Sequence, residues 1–215
     1  MTQRGCFITL EGGEGAGKST NAAYLVDYLN QQGIEALLTR EPGGTEVGEA
    51  VRQILLDPRL PAMQSDTELL LMFAARHEHL YKTIVPALQQ GQWVVCDRFT
   101  DATYAYQGGG RGLSAERIAV LENWVQGELR PDATLLFDLP VEIGMQRAQQ
   151  RSAADRFEQE QYDFFQRVRA AYLARQQLYP EQYYLIDAAQ SLETVQAQLQ
   201  SVLQQLMVAR EHRPL

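Results

Sequence analysis

The segment EGGEGAGKST, residues 11–20, has the order G-x-x-x-x-G-K-S. Its glycines let successive backbone N–H groups face one anion, Lys18 can reach the outer phosphates of a nucleotide, and the Ser19 hydroxyl can bind Mg²⁺. An apolar run precedes the segment and a helical pattern follows it, as a phosphate-binding loop requires. The alternative, a glycine-rich turn with an incidental lysine, does not account for this context. The predicted loop consists of Gly12, Gly13, Glu14, Gly15, Ala16, Gly17, Lys18, Ser19 and Thr20.

A second acidic residue normally helps to hold the magnesium of such a loop. Asp97 closes the apolar run WVVCD, and we predict Mg²⁺ ligands at Ser19 and Asp97. Asp97 could instead pair with Arg98 or cap a helix. Asp138, at the end of another apolar run, is a further acidic candidate for which a structural role is at least as plausible.

Two arginines follow predicted strands and suggest a second anion site. Arg40 lies in TREPGG, and Arg98 follows Asp97. Ligands of open α/β sheets bind beyond the carboxyl ends of the strands, so these arginines could converge with Lys18 on an acceptor phosphate. The alternative for either arginine is a surface salt bridge. The chain lacks the Asn-Lys-x-Asp element of a GTPase and the Asp-Glu strand end of a mechanical ATPase, which favours a small-molecule kinase.

Phe73 and Arg76 are three residues apart in a helical pattern and share one face. Phe73 could stack on a flat ring while Arg76 contacts an acceptor at the edge of the ring. The alternative is that Phe73 is a core residue. His77 and His79 are two residues apart, about 200° around a helix, so a shared metal is disfavoured and we expect both at the surface or at an interface.

Five apolar runs alternate with helical patterns and predict an α/β doubly wound fold with a parallel sheet. The 215 residues predict a single domain spanning 1–215. The predicted strands are residues 6–11, 36–41, 93–98, 133–139 and 183–188. The predicted helices are residues 18–31, 45–56, 66–90 with a possible break before Pro86, 114–126, 141–151, 159–179 and 192–210.

Charge and cysteine content restrict the possible partners and compartment. The chain has 19 Lys and Arg against 27 Asp and Glu, a net charge of −8, which disfavours binding to nucleic acid or an anionic membrane. Cys6 and Cys96 fall in apolar runs and are predicted to be buried thiols rather than a disulfide. No apolar stretch is long enough to span a bilayer, so we expect a cytoplasmic protein.

Several motifs together resemble the thymidylate kinase family. EGGEGAGKST, TREPGGT, FAARHEHL, DRF, AYQGGGRG and DRFE at residues 155–158 occur in that family's order and approximate spacing, through about residue 188. The resemblance implies a P-loop kinase fold with a five-stranded parallel sheet flanked by helices on both faces. It also implies in-line phosphorylation of dTMP to dTDP by ATP with Mg²⁺, in dTTP biosynthesis, by a homodimer.

The resemblance also implies roles for individual residues. Glu14 matches a deoxyribose contact, and Tyr106 matches the aromatic residue that disfavours a ribose 2′-hydroxyl. The remaining matches are Arg40 and Arg98 to the monophosphate clamp, Phe73 to the thymine-stacking ring, Arg76 to the donor to a thymine carbonyl, and Thr103 and Gln107 to positions near the base or phosphate.

The family's mobile lid corresponds to residues 147–158. Some members carry an arginine in the phosphate loop, but this chain has Gly15 there, so the resemblance implies a bacterial type with its catalytic arginine in the lid. The expected catalytic residues are Lys18, Arg98, Arg151 and Arg156, and Arg147 is expected to bind ATP. The alternative for Arg147 is a solvated basic helix end. Arg151→Ala is expected to lower turnover more than ATP binding.

Two other functions remain open from the sequence. One is a kinase for another nucleoside monophosphate or for a deoxynucleoside. The other is an ATP-dependent switch or assembly protein, whose turnover would respond to a macromolecule; the Arg40, Arg98, Phe73 and Arg76 set argues against it.

Overall fold

The computed structural model describes residues 3–150 and 155–211, and its centre is a parallel β-sheet. Its five strands are β1 (Phe7–Gly12), β2 (Ala36–Arg40), β3 (Trp93–Asp97), β4 (Ala133–Asp138) and β5 (Tyr183–Asp187). Their order is β2-β3-β1-β4-β5, and every neighbouring pair is parallel. The predicted five-stranded parallel sheet is therefore confirmed. Its carboxyl edge brings the ends of β1, β2 and β3 together.

The central strand β1 is buried over its whole length because both faces of the sheet are covered. Ile8 and Leu10 pack into one hydrophobic cluster, whereas Phe7, whose side chain alternates with theirs, packs into a second cluster. This two-sided burial explains the continuous apolar runs in the sequence. Cys6 and Cys96 are both buried and free, as predicted.

Helices cover the sheet and continue the alternating order along the chain. They are α1 (Lys18–Gln31), α2 (Glu46–Leu56), α3 (Ser65–His79), α4 (Val85–Gln89), α5 (Thr100–Thr103), α6 (Ala115–Gln126), α7 (Val141–Gln149), α8 (Tyr162–Leu178) and α9 (Leu192–Glu211). The predicted helix start at Ser114 is confirmed, because its hydroxyl accepts a hydrogen bond from the backbone N–H of Arg117 at 3.4 Å. None of the described helices is long and apolar enough to cross a membrane.

The possible break before Pro86 takes the form of an interruption in the α-helical pattern, through which the chain stays helical. After α3 the chain forms a π-helical turn at Leu80–Ile84 and continues directly into α4. Pro86 lies in the first turn of α4. Pro86 has no N–H to donate, and the π-helical turn before it changes the α-helical hydrogen-bond pattern at this point.

Residues 100–110 form helical structure that the sequence analysis did not predict. α5 leads into a π-helical segment, Tyr104–Gly110, although the run GGG is typical of a turn. A Cβ at Gly109 would lie 2.8 Å from the carbonyl oxygen of Arg167, and one at Gly110 would lie 2.5 Å from the ring of Phe164. The glycines therefore allow this segment to pack closely against α8.

The expectation that both histidines lie at the surface or at an interface is wrong for His79. His77 is exposed beside Tyr81, but His79 is completely buried. Its Nδ1 lies 3.0 Å from Glu41 Oε1, and its Nε2 lies 2.6 Å from Thr39 Oγ1. Polar groups at the end of β2, 38 to 40 residues away in the sequence, satisfy the ring.

Helix α7 supports the loop that joins β1 to α1 by backbone contact. A Cβ at Gly144 would lie 2.5 Å from the carbonyl oxygen of Glu14, and one at Gly15 would lie 2.0 Å from the carbonyl oxygen of Gly144. Gly15 also has φ 68°, in the left-handed region that favours glycine. No side chain fits between α7 and the loop at these two positions.

We expect Gly144→Ala to destabilise the protein. Alanine normally stabilises a helix interior by about 0.5–1 kcal/mol relative to glycine, but here the added methyl would push the loop away, and overpacking typically costs about 1–3 kcal/mol. Urea unfolding measures the effect, with Gln146→Ala on the exposed face of α7 as the control. A Gly144→Ala protein as stable as the wild type would contradict this packing.

Candidate active site

The phosphate loop, residues 12–20, depends on three glycines with positive φ. Gly15 and Gly17 have φ of 68° and 81°, which turns the backbone back on itself before α1 begins at Lys18. Gly12 has φ 139°, and a Cβ there would lie 2.4 Å from the carbonyl oxygen of Phe137. The loop therefore ends at a helix N-terminus, which carries partial positive charge and favours an anion. Thr20 is exposed in the first turn of α1.

Lys18 lies buried against the inside of this loop. Its ammonium donates hydrogen bonds to the carbonyl oxygens of Gly12 at 3.0 Å and Gly13 at 2.7 Å. Burial, assisted by the nearby charge of Arg98, lowers the pKa of Lys18 to about 8. A bound anion would offset both effects, so Lys18 favours a negatively charged ligand.

The structure brings the two predicted magnesium ligands together. Ser19 Oγ donates a hydrogen bond to Asp97 Oδ2 at 2.8 Å. Mg²⁺ usually takes one or two protein oxygens and completes its shell with phosphate oxygens and water, and this donor pair fits that pattern. Asp138 instead forms a bidentate ion pair with Arg169, at 2.7 and 2.9 Å. Its position therefore agrees with a structural role.

Arg98 connects the phosphate loop to the opposite wall of the site. Its Nη1 donates to the carbonyl oxygen of Gly12 at 3.1 Å, and its Nη2 donates to Glu14 at 2.5 Å and to the Tyr106 hydroxyl at 2.9 Å. Burial alone would lower the pKa of Arg98, but the Tyr106 hydroxyl and the Glu14 carboxylate raise it well above its usual value. Its backbone φ of 68° is in the left-handed region, which a non-glycine residue rarely adopts and which often marks a functional site.

The sequence analysis missed a buried carboxyl group behind Arg98. Glu11 Oε1 accepts a hydrogen bond from the backbone N–H of Phe99 at 2.7 Å, and Oε2 accepts one from the Tyr172 hydroxyl at 2.9 Å. The Tyr172 oxygen in turn accepts one from Arg98 at 3.3 Å. Burial, together with the charge of Asp101, raises the pKa of Glu11 to about 8. The sequence did carry a signal for it, because Glu11 is a charged residue within the mostly apolar strand β1.

One cavity extends from the phosphate loop past Arg98 to helix α3. Its wall combines groups that bind phosphate, groups that carry positive charge and groups that could contact a flat ring. Among the lining residues are Lys18, Ser19, Asp97, Arg40, Arg52, Arg98, Met72, Arg76, Thr103, Tyr106 and Gln107. Most of the site residues predicted from sequence are thus brought together in a single space.

Positive charge concentrates in the middle of the cavity. Arg40, from the end of β2, pairs with Glu49 at 2.8 Å, and Arg52 of α2 donates to the carbonyl oxygen of Pro42 at 2.9 Å. Burial, together with the charge of Arg40, lowers the pKa of Arg52. The sequence analysis missed Arg52, because no motif marks it. An anion placed here would relieve repulsion among Arg40, Arg52 and Arg98.

Arg76 lies at the far end of the cavity and is almost fully buried. Its Nε donates to Glu41 at 2.7 Å, and its Nη2 donates to Thr103 Oγ1 at 3.0 Å and to the carbonyl oxygen of Phe99 at 3.1 Å. Its Nη1 is buried without a hydrogen-bond partner in the described chain. Although burial raises the pKa of Glu41, Arg76 and His79 outweigh it and lower that pKa overall. Arg76 therefore retains one donor for a ligand.

The structure does not bring Phe73 to the cavity wall. Phe73 is 2 % exposed and belongs to a core cluster with Leu69 and Leu80, while its ring lies 4.7 Å from the Arg76 guanidinium carbon. Met72 lines the cavity instead. Met72 and Arg76 are four residues apart and share a helix face. Because this face of α3 lies toward the cavity, Phe73 lies in the core.

Tyr106 and Gln107 reach the cavity from the π-helical segment that follows α5. The Tyr106 hydroxyl donates to Glu14 at 2.8 Å, so Glu14, Tyr106 and Arg98 form one group beside the phosphate loop. Gln107 is 1 % exposed, and its amide nitrogen donates to Glu68 at 2.8 Å. The segment's backbone packs closely on α8, and these hydrogen bonds hold the two side chains.

The arginines predicted for the lid do not line this cavity where they are described. Arg147 donates to the carbonyl oxygen of Ala188 at 2.8 Å. Arg156 donates to Glu68 at 2.6 Å and to the carbonyl oxygen of Leu55 at 2.7 Å. Arg151 lies outside the described residues. The structure thus ties Arg156 to α2 and α3 rather than placing it beside the phosphate loop.

Comparisons with known proteins agree on one family. The sequence model of the thymidylate kinase family matches residues 10–199. A thymidylate kinase from Pseudomonas savastanoi pv. phaseolicola is 62% identical over 206 residues, covering 96% of this chain and 98% of that protein. A thymidylate kinase from Pseudomonas putida is 63% identical over 199 residues, covering 93% and 95%.

A solved structure supports the same relationship at lower sequence identity. The crystal structure of thymidylate kinase from Ehrlichia chaffeensis superposes with a TM-score of 0.76 at 33% identity, covering 93% of this chain and 99% of that chain. The chain belongs to the thymidylate kinase family.

Proposed function

We propose that the protein transfers the γ-phosphoryl group of ATP to the 5′-phosphate of dTMP, giving ADP and dTDP. The observation that carries this function is the single cavity, which joins the phosphate loop at one end to Arg76, Thr103 and Gln107 at the other, with three arginines between them. A nucleotide donor and a nucleoside monophosphate acceptor bound end to end would fit this order of groups along the cavity.

ATP would occupy the end of the cavity formed by the phosphate loop. The loop N–H groups and Lys18 would bind the β- and γ-phosphates. Ser19 and Asp97 would hold Mg²⁺, which supplies positive charge to the transferring phosphoryl group when bound. Arg147, beside the end of β5, would contact another part of the nucleotide.

The acceptor phosphate would lie among Arg40, Arg52 and Arg98. Its oxygen is already anionic near neutral pH, so the transfer needs no general base. That oxygen forms the new bond to the γ-phosphorus while the bond to the β,γ-bridging oxygen breaks, and ADP leaves with the electron pair. The arginines position the acceptor and reduce the repulsion between two anionic substrates.

The sugar and base would extend from the arginines toward α3. Glu14 and Tyr106 lie beside Arg98 and would face the deoxyribose. Met72 would provide an apolar wall for the base, and the free Nη1 donor of Arg76 would contact a base carbonyl. Phe73 would act indirectly, by holding the Arg76 guanidinium against its ring.

Acceptor specificity is the direct test of this function. We expect ADP release from ATP and Mg²⁺ to require dTMP, with at most weak release with dCMP, dGMP, AMP or thymidine. Coupled ADP detection measures the rate for each acceptor. Activity with a different monophosphate alone would keep the phosphate-loop assignment and refute the base site. ADP release that does not depend on any small acceptor would favour an ATP-driven switch.

We also propose that residues 147–158 form a lid that completes the charge around the transferring group. Arg151→Ala is expected to lower kcat by roughly 10³-fold or more while leaving the Kd for ATP nearly unchanged, since arginine fingers contribute about that much to phosphoryl transfer. Arg156→Ala is the matched comparison, because Arg156 is held by Glu68. Unchanged kcat in both variants would refute a catalytic lid arginine.

We further propose a cytoplasmic homodimer. Leu70 of α3 and Val120 and Trp124 of α6 are 57%, 68% and 80% exposed, and a second copy of the chain could cover them. Sedimentation velocity is expected to give twice the 24.3 kDa chain mass, and Trp124→Glu is expected to shift it toward the monomer. A monomeric wild type at micromolar concentration would refute the dimer.

A further inference from the structure

We propose that Glu68 is a positioning residue that fixes the orientation of the Gln107 amide and so determines which pyrimidine edge the cavity accepts. This inference rests on the proposed function, since it concerns the acceptor base. Glu68 belongs to α3 and has no exposed surface. It is not among the residues that line the cavity, so it would act through Gln107.

Both carboxylate oxygens of Glu68 accept hydrogen bonds from neighbouring side chains. Oε1 accepts from Gln107 Nε2 at 2.8 Å and from Arg111 Nε at 3.3 Å, and Oε2 accepts from Arg156 Nη2 at 2.6 Å. A carboxylate paired with two guanidinium groups accepts hydrogen bonds and donates none. The Gln107 group that faces Glu68 must therefore be its NH₂.

This constraint leaves the Gln107 oxygen for a ligand. A glutamine amide has a donor end and an acceptor end, and the donor end is bound to Glu68. Turning the amide over would place two acceptors against each other in a buried site, which is strongly unfavourable. Gln107 lines the cavity, so it offers a bound base an acceptor and not a donor.

Arg76 supplies the complementary donor in the same end of the cavity. Its Nη1 is buried and has no hydrogen-bond partner in residues 3–150 and 155–211. A donor beside an acceptor matches the edge of thymine or uracil, where a carbonyl oxygen lies next to a ring N–H. Cytosine presents an amino donor and a ring-nitrogen acceptor, which is the opposite order. Its amino group would face the Arg76 donor, and its ring nitrogen would face the Gln107 oxygen.

The spacing along α3 supports a common role. Glu68, Met72 and Arg76 are separated by four residues each and so follow one stripe of the helix. One helix therefore supplies the charge that orients Gln107, an apolar wall and the donor. The predicted selectivity acts between cytosine and the two imide bases, and it does not separate thymine from uracil.

Glu68→Gln tests this role, because the new amide can either accept from or donate to Gln107 and the orientation is no longer fixed. The measurement is kcat/KM with dTMP, dUMP and dCMP. We expect the dTMP to dCMP ratio of kcat/KM to fall by about tenfold or more. In this variant the Gln107 amide can turn over, so bound cytosine no longer has to face a group of the wrong hydrogen-bonding type. The dTMP to dUMP ratio should change by less than about twofold, because both bases share one edge.

Glu160→Gln is the matched control. Glu160 pairs with Arg111 in the same network, and within the described residues Gln107 bonds to Glu68 rather than to Glu160. The same change of charge at Glu160 should therefore leave the dTMP to dCMP ratio unaltered. Two results would make Glu68 a purely structural residue and overturn the proposal. One is that Glu68→Gln loses activity equally with all three acceptors. The other is that Glu160→Gln lowers the dTMP to dCMP ratio as much as Glu68→Gln does.

Two further measurements apply if Glu68→Gln does not fold. Glu68→Asp keeps a negative charge for the arginines, but its side chain is one methylene shorter and so reaches Gln107 less well. It should also lower the dTMP to dCMP ratio of kcat/KM. The second measurement is the exchange of the Gln107 side-chain amide protons with water in the wild type. These protons are assigned by their absence in Gln107→Leu and should exchange slowly; rapid exchange would overturn the proposal.

A wild type that does not phosphorylate dTMP would overturn the proposed function as well. A wild type that phosphorylates dTMP lets the variants test the role of Glu68 alone.

Discussion

The ion pair and hydrogen bonds of Arg98 are the interactions on which the site depends. One guanidinium joins the phosphate loop, through Gly12 and Glu14, to Tyr106 on the opposite wall of the cavity. The Arg98 guanidinium is largely withdrawn from water, and such a charge is costly unless it is paired and hydrogen-bonded, so the surrounding groups must stay in place. The left-handed backbone at Arg98 and the buried Glu11 and Tyr172 behind it are part of the same arrangement.

Close backbone packing holds the elements that surround Arg98. Gly15 contacts Gly144 of α7, and Gly109 and Gly110 let the Tyr106 segment lie against α8. These contacts leave little room for adjustment, because a methyl group at any of them would clash. The walls of the cavity are therefore fixed relative to each other by glycines that the phosphate-loop motif only partly includes.

The sheet and the phosphate loop could be predicted because their signals are local. Buried parallel strands are continuous apolar runs, and the loop residues from Gly12 to Ser19 are consecutive. The remaining site was harder because distant contacts decide it. Whether Phe73 or Met72 faces the cavity depends on how α3 packs, and Arg156 is held by Glu68, 88 residues away. The helical fold of Tyr104–Gly110 depends on α8, so its glycines indicated a turn instead.

Binding of a bisubstrate analogue tests most directly whether one cavity holds both nucleotides around Arg98. An analogue with adenosine and thymidine joined by a chain of five phosphates should compete with both ATP and dTMP. Linking the two groups should make it bind more tightly than either nucleotide, by about 10²-fold or more, and Arg98→Lys should remove most of that gain. An analogue that competes with ATP alone, or gains no affinity over ATP, would contradict a shared cavity.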